Sequence, residues 1–280
     1  MSKSRKNTPS ATDWQVPAGK GAAGFRLKDI DPAAKPWSTG DKEVDRATVD
    51  ELAVEIDRLQ DLLYADRRYA VLVVLQGTDA SGKDGTLRSV FARTSPLGVH
   101  TVGWKAPSEE ERSHDYLWRI HKAAPARGEM TVFNRSHYED VLVPVVNGWI
   151  KPDEAAQRYR QINDFERMLV ENRTVVLKFM LHIGSEEQRE RLQERLDDPT
   201  KRWKFSLGDL DVRKQWADYQ QAYEALLRAT STAWAPWTIV PADSKTHRNL
   251  MIASLVRDAL KGLKLRYPPG DPGLEGVRVT

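Results

Sequence analysis

Residues 77–86 read Gly-Thr-Asp-Ala-Ser-Gly-Lys-Asp-Gly-Thr, a spacing of glycines around one lysine that suits the cradling of phosphate. Glycines let backbone N–H groups turn inward around phosphate oxygens, the following helix offers its positive end, and Lys83 adds a mobile cation. The candidate phosphate contacts are Gly77, Ala80, Gly82, Lys83, Asp84, Gly85 and Thr86. Two departures from the usual loop bear on the chemistry. Asp84 follows the lysine, where such loops commonly carry a magnesium-binding hydroxyl, and a second carboxylate, Asp79, lies within the loop. Anions beside phosphate are costly unless a metal bridges them.

A second polar cluster runs Asn134-Arg-Ser-His-Tyr-Glu-Asp140 and closes the apolar stretch Met130 to Phe133. In phosphate-loop enzymes this is where a carboxylate holds magnesium, but here the strand ends in an amide, Asn134. Glu139 and Asp140 can supply the charge, or can serve only as acids in the first turn of a helix. Arg135 carries a planar fork of donors suited to phosphate oxygens. A third cluster, from Asp197 to Trp216, alternates basic and aromatic residues. Arg202 and Lys204 read there as part of a lid that brings cations over a bound polyanion and excludes water, while Trp216 reads as a core anchor. His137 reads as a packing or hydrogen-bonding residue rather than a nucleophile.

The elements that must position these groups follow from periodicity. The apolar run Tyr69 to Gln76 feeds directly into the loop, and buried strands are predicted at Val99 to Trp104, Met130 to Phe133, Thr174 to Ile183 and Trp237 to Val240. Helical patterns fall between them, at Asp41 to Ala65, Glu109 to Ala123, Asp153 to Glu171, Ser185 to Leu196, Val212 to Thr230 and Ser244 to Leu263, with Ser185 and Gln188 spaced as a capping box. Strands alternating with helices predict an α/β fold, three layers with a parallel sheet between helices, and ligands beyond the carboxyl ends of its strands. The predicted organisation is a partly ordered arm over 1–40 with a docking segment from Phe25 to Trp37, a phosphate-loop kinase domain over 41–268 that includes a lid at 197–216, and a tail over 269–280.

Composition bounds the rest. With no cysteine there are no disulfides, thiolate metal sites or cysteine nucleophiles, and His114 and His121 lack partners at metal spacing. The 43 Lys and Arg against 40 Asp and Glu leave a net charge of only +3, so affinity for anions has to come from local clusters. No stretch reaches membrane-spanning length, and Met1 to Ser10 lacks the apolar core of a signal peptide; a cytoplasmic protein without membrane or nucleic-acid partners is expected. Pro241 to Arg248, after the last strand, is compatible either with ligand contact or with simple helix capping and is left unassigned.

The three ordered clusters together resemble the type-2 polyphosphate kinases, from about Leu59 to Tyr267. The marks are Gly77-x-Asp79-x-x-Gly82-Lys83-x-Gly85, the Asn134 to Asp140 run, and Lys201-Arg-Trp-Lys-Phe-Ser206 with Asp209, Arg213 and Trp216. The resemblance implies a thymidylate-kinase-like α/β/α core with a helical lid. It also implies magnesium dependence with manganese as an alternative, a basic channel for polyphosphate, and a homo-oligomer, dimer or tetramer. Members acting on nucleoside diphosphates usually carry an acid at the strand end and an amide five residues on. Here Asn134 and Glu139 reverse that order, which looks like the subclass accepting both mono- and diphosphates, with AMP, ADP, ATP and the guanine counterparts GMP and GDP as nucleotides. The implied metal carboxylates are Asp79 and, second, Glu139, and the implied catalytic set is Asp79, Lys83, Arg135, Glu139, Arg202 and Lys204. Rival readings are an ATP-dependent nucleotide or small-molecule kinase and a non-catalytic binding module for polyphosphate or nucleic acid.

Overall fold

A computed structural model describes residues 10–279. Five parallel strands form the centre: β1 (Ala70–Gln76), β2 (Val99–Gly103), β3 (Met130–Asn134), β4 (Thr174–His182) and β5 (Trp237–Pro241), in the order β2-β3-β1-β4-β5. Every residue of β1 is buried, as expected for a strand covered on both faces. The faces separate by alternation. Leu72 and Val74 join one core with Phe133, Val176, Met180 and Trp237, whereas Val71, Val73 and Leu75 join the other with Val132, Phe179 and Leu181.

Helices cover both cores. The second core is closed by α1 (Lys42–Asp66), by α2 (Lys83–Val90), and later by α10 (Lys245–Gly262). Between β2 and β3 lie two short helices, α3 (Glu109–Ser113) and α4 (Trp118–Lys122). The first core is closed by α5 (Glu139–Val146), α6 (Pro152–Glu171) and α9 (Trp216–Thr230). Two further helices, α7 (Ser185–Asp197) and α8 (Leu207–Lys214), stand at the carboxyl end of the sheet, the end at which β4 delivers α7. From β1 the chain goes out to the β2 edge, returns to β3 and crosses to β4, so β1 ends where the direction of winding reverses. Parallel sheets open a crevice at such a point.

Three local readings are corrected. The predicted helix Glu109 to Ala123 is broken because Asp115 turns the chain, its carboxylate accepting from the Leu117 N–H at 3.0 Å in competition with helical bonding. The predicted helix from Val212 is interrupted at Gln215, and α8 begins earlier, at a capping box of Ser206 and Asp209. Ser185 and Gln188 form no capping box; Gly184 is the cap residue of α7, and the Gln188 amide is used elsewhere.

The described part of the N-terminal segment packs on the body. Val16 and Leu27 are each 1% exposed and belong to the first core. The Val16 N–H donates to the Trp237 carbonyl at 2.8 Å, and the Leu27 N–H to Glu224 Oε2 at 2.8 Å. Docking therefore starts upstream of the Phe25 to Trp37 segment, along β5 and α9. Residues 1–9, part of the predicted arm and of the signal-peptide reading, lie outside the described residues. No helix among the described residues is long and apolar enough to cross a membrane.

Candidate active site

The loop joining β1 to α2 turns back on itself at residues the backbone restricts. Gly77 has φ 151°, and a Cβ there would stand 2.7 Å from the Leu181 carbonyl oxygen. Gly82, the cap residue of α2, has φ 101°, a conformation costly for any residue with a Cβ. Lys83 is buried and curls into the loop, its Nζ donating to the carbonyls of Gly77 at 2.6 Å and Thr78 at 3.1 Å. Burial first, and neighbouring Arg135 second, lower its pKa to about 8 against the pull of Asp79, Glu139 and Asp84. The loop is anchored from beneath: Gln188 Nε2 donates to the Asp79 carbonyl at 3.1 Å, and Arg191 to the Ala80 carbonyl at 3.0 Å.

Across from the loop, β3 ends at Asn134, whose amide donates to Asp84 Oδ1 at 2.8 Å. Burial would raise the Asp84 pKa, but this bond and the cations Lys204 and Lys83 together hold it below its ordinary value. Arg135 follows with φ 65°, a left-handed conformation unusual for a residue other than glycine. The turn is fixed by its N–H donating to the Leu75 carbonyl at 3.0 Å. The guanidinium then bridges two carboxylates, reaching Asp79 Oδ1 at 2.7 Å and Glu139 Oε2 at 3.7 Å. Glu139 also accepts from the buried amide of Gln76, the last residue of β1. Asp79, Arg135 and Glu139 thus form one connected group with the arginine between the two acids, whereas the sequence reading puts a metal between the acids and the arginine on phosphate.

Behind this turn the chain is held by a buried polar network. Lys178 of β4 donates from Nζ to Glu166 Oε2 at 2.6 Å, to the Tyr138 hydroxyl at 2.9 Å and to the Thr230 carbonyl at 2.7 Å. Glu166 Oε1 accepts from Tyr138 at 2.6 Å and lies 3.2 Å from His137 Nε2. His137, Tyr138, Glu166 and Lys178 are all essentially unexposed. His137 therefore faces the core, away from the cleft.

The cleft between these groups measures about 1030 Å³. Its floor is the loop with Asp79, Lys83 and Asp84; one side carries Trp104, Lys105, Asn134 and Arg135. The other side is strongly basic, with Arg191, Arg195, Lys201, Lys204, Lys245 and Arg248 against the acids Glu194 and Asp209. Of the candidate lid cations, Lys204 lines the cleft with its Nζ 3.5 Å from Asp84 Oδ2. Arg202 does not: it is exposed and donates from Nε to the Leu196 carbonyl at 2.9 Å. Thr86 is buried, its hydroxyl 3.4 Å from Asn249 Oδ1. Trp216 is half-buried against the second core, whereas Trp203 is 76% exposed at the mouth of the cleft.

Several groups escaped the sequence reading. Gln188, Arg191 and Arg195 recur along α7 at helical spacing, but as ordinary polar residues of an amphipathic helix. Lys245 and Arg248 fall in the segment left unassigned. The Gln76 amide at the end of an apolar run carried no signal at all.

Comparison with known proteins agrees with this geometry. The sequence profile of polyphosphate kinase 2 (PPK2) matches residues 39–267. The chain is 47% identical over 256 residues to the AMP/ADP-polyphosphate phosphotransferase of Meiothermus ruber, covering 90% of this chain and 95% of that protein. It is 41% identical over 236 residues to the ADP-polyphosphate phosphotransferase of Rhodopseudomonas palustris, covering 79% and 82%. The crystal structure of polyphosphate kinase 2 from Arthrobacter aurescens TC1 matches with a TM-score of 0.90 at 41% identity, covering 94% of this chain and 93% of that one. With the family profile matching residues 39–267 and with fold and most of its length in common with these proteins, the chain belongs to the polyphosphate kinase 2 family.

Proposed function

We propose that the protein transfers phosphoryl groups between inorganic polyphosphate and nucleotides, taking AMP to ADP and ADP to ATP in a reversible reaction that requires a divalent ion, Mg²⁺ or Mn²⁺. The observation that carries the reading is one cleft in which the loop lysine, Asp79, Arg135 and a basic wall face a common space, with Glu139 set behind and joined to it through Arg135. That space suits two phosphate-bearing substrates meeting end to end. Relatives named for AMP and ADP acceptors add weight to it.

The residues present fit a magnesium ion by their chemistry. Asp79 and Glu139 offer hard carboxylate oxygens, and such an ion usually takes only one or two of these together with phosphate oxygens and water. Among the described residues no group of three or more His, Cys, Asp or Glu stands together as a cage. When bound, the ion would neutralise charge on the reacting phosphates.

The chain's own residues account for the remainder of the reaction. An oxygen of the acceptor's terminal phosphate attacks the terminal phosphorus of polyphosphate. A new P–O bond forms as the bridging P–O bond breaks, and the polyphosphate leaves one unit shorter. Such a transfer asks mainly for alignment and charge stabilisation. Lys83 donates to the transferring group from inside the loop, Arg135 from the β3 side and Lys204 from the lid. Arg202 would join only if the 197–216 segment folds further over the cleft, which is the role proposed for it. Glu139, placed where the diphosphate-specific pattern has an amide, supports a monophosphate acceptor that brings fewer oxygens of its own.

The test is incubation of AMP, ADP, GMP and GDP separately with polyphosphate and magnesium, followed by identification of the products. Appearance of ADP and ATP from AMP without added ATP is the expected result, and the guanine arms report base preference. Phosphorylation that requires ATP as donor would replace the reading with an ordinary nucleotide kinase, and binding without turnover would reduce it to a binding module.

A further inference from the structure

Arg248, in the first turn of α10, is 2% exposed and lies directly beneath the phosphate loop. Its Nη1 donates to the Ser81 carbonyl at 3.2 Å, and its Nε and Nη2 to Asn249 Oδ1 at 3.1 and 2.9 Å. The guanidinium lies close against two glycines of the loop. A Cβ at Gly82 would overlap its Nη1, and one at Gly85 would stand 3.0 Å from Nη2. These two glycines thus do more than bring backbone to a ligand; they open the room in which a cation sits.

That cation has no counter-charge among the described residues. Among the described residues no carboxylate stands within ion-pair distance of Arg248, and the charged group that acts on it is another cation, Arg191. Arg191 differs in being compensated, with its Nε 2.6 Å from Glu187 Oε1. Burial first, and Arg191 second, lower the Arg248 pKa to about 9, so the charged form is held at a cost in the unliganded protein. A buried charge without a partner is one of the most expensive features a fold can keep. Its site, against the loop and at the wall of the cleft, is where anionic phosphate would compensate it.

We infer that Arg248 is a positioning residue for the phosphate chain: a cation stored under Gly82 and Gly85, left uncompensated by the protein and neutralised by the phosphates that occupy the loop. This rests on the phosphate-binding reading of the cleft and adds to it a residue that acts from behind the loop, through the charge it holds there. The arrangement makes a trade between stability and affinity. Charge that weakens the empty protein strengthens the liganded one, because only the latter contains its partner.

The experiment compares wild type, Arg248→Met and Arg248→Lys by calorimetric titration with magnesium tripolyphosphate and by thermal unfolding with and without it. Arg248→Met is expected to melt at or above the wild-type temperature when empty. It should bind tripolyphosphate at least about tenfold more weakly, the scale of one lost charge-assisted contact, and should lose most of the ligand-induced rise in melting temperature. Arg248→Lys, which keeps the charge, should recover most of the binding. The inference is overturned if Arg248→Met binds as wild type does. It is equally overturned if the methionine and lysine variants bind equally weakly, or if Arg248→Met is less stable than wild type or fails to fold, since each result makes the arginine a structural brace. Absence of tripolyphosphate binding by the wild type would instead contradict the function proposed for the cleft, which separates the two failures.

Discussion

In the proposed reaction Lys83 is the residue where protonation and substrate binding would be coupled. Its pKa is drawn down to about 8 by burial and by Arg135 in the unliganded protein, and phosphate oxygens in the loop favour the charged form. Between about pH 8 and the ordinary lysine range the unfolded chain holds this proton more tightly than the folded one, so the contribution of Lys83 to stability rises with pH across that window. Binding of polyphosphate at pH 8.5 should therefore take up a proton, seen as a binding heat that varies with the ionisation enthalpy of the buffer; a heat independent of buffer would contradict it. Glu139 carries the second residue-scale prediction. Glu139→Asn should lower phosphorylation of AMP more than that of ADP, because ADP brings an additional phosphate to the metal. Adding Asn134→Asp should restore a strand-end carboxylate and favour diphosphates, with the two changes strongly non-additive as for groups sharing one ion. Steady-state kinetics of both single variants and the double variant decide it, and additive losses with an unchanged AMP to ADP preference would leave Glu139 as a helix-start acid only.

The elements differ in how far sequence alone revealed them. Strands β1, β3 and β5 were legible because a strand buried on both faces must be an unbroken apolar run, and α1 because Leu52, Ile56, Leu59 and Leu63 mark one face. Boundaries failed where polar side chains bond locally, at Asp115 and at the Ser206 and Asp209 box, since a competing hydrogen bond leaves hydrophobic period unchanged. The loop, and Asp79, Arg135, Glu139 and Lys204 as candidate residues, were legible from residue type and order, but the arginine's place between the two acids was not. Arg248 was not, because its meaning lies in contact with Gly82 and Ser81, far away in the chain. The segment expected to be a lid is where type and direction parted: Arg202 and Lys204 are two residues apart, yet Lys204 lines the cleft and Arg202 points to Leu196. Lys204→Ala should weaken use of long polyphosphate at low salt with little change in melting temperature, and the loss should shrink as salt screens the attraction. Arg202→Ala should have the smaller effect unless the lid closes further during turnover. Equal losses at all salt concentrations, or unfolding, would assign Lys204 a structural role.

At the scale of the molecule, the cleft depends on layers that also include the N-terminal segment. Residues 11–29 run along β5 and α9, and the residues that follow are tied to the edge of the body: the Asp243 N–H donates to the Pro32 carbonyl at 3.1 Å, and His182 Nε2 lies 3.2 Å from the Ile30 carbonyl. Those ties reach the same end of the sheet as the loop. Leu27, buried within the first core, should cost about 2–5 kcal/mol when changed to alanine, the range for a large-to-small core substitution. A wild-type melting temperature for Leu27→Ala would mean that the segment is not part of the folded unit. Taken together, the fold places one charged loop at the reversal point of a parallel sheet and surrounds it with cations from α7, the lid, β3 and α10. The most direct measurement is polyphosphate-dependent formation of ADP and ATP from AMP by wild type and Lys83→Met, run beside their melting curves. The account predicts turnover by the wild type, a loss worth about 3 kcal/mol or more in the barrier for the variant, and a folded variant that melts no lower. Near-normal turnover by Lys83→Met with a normal melting curve would contradict it.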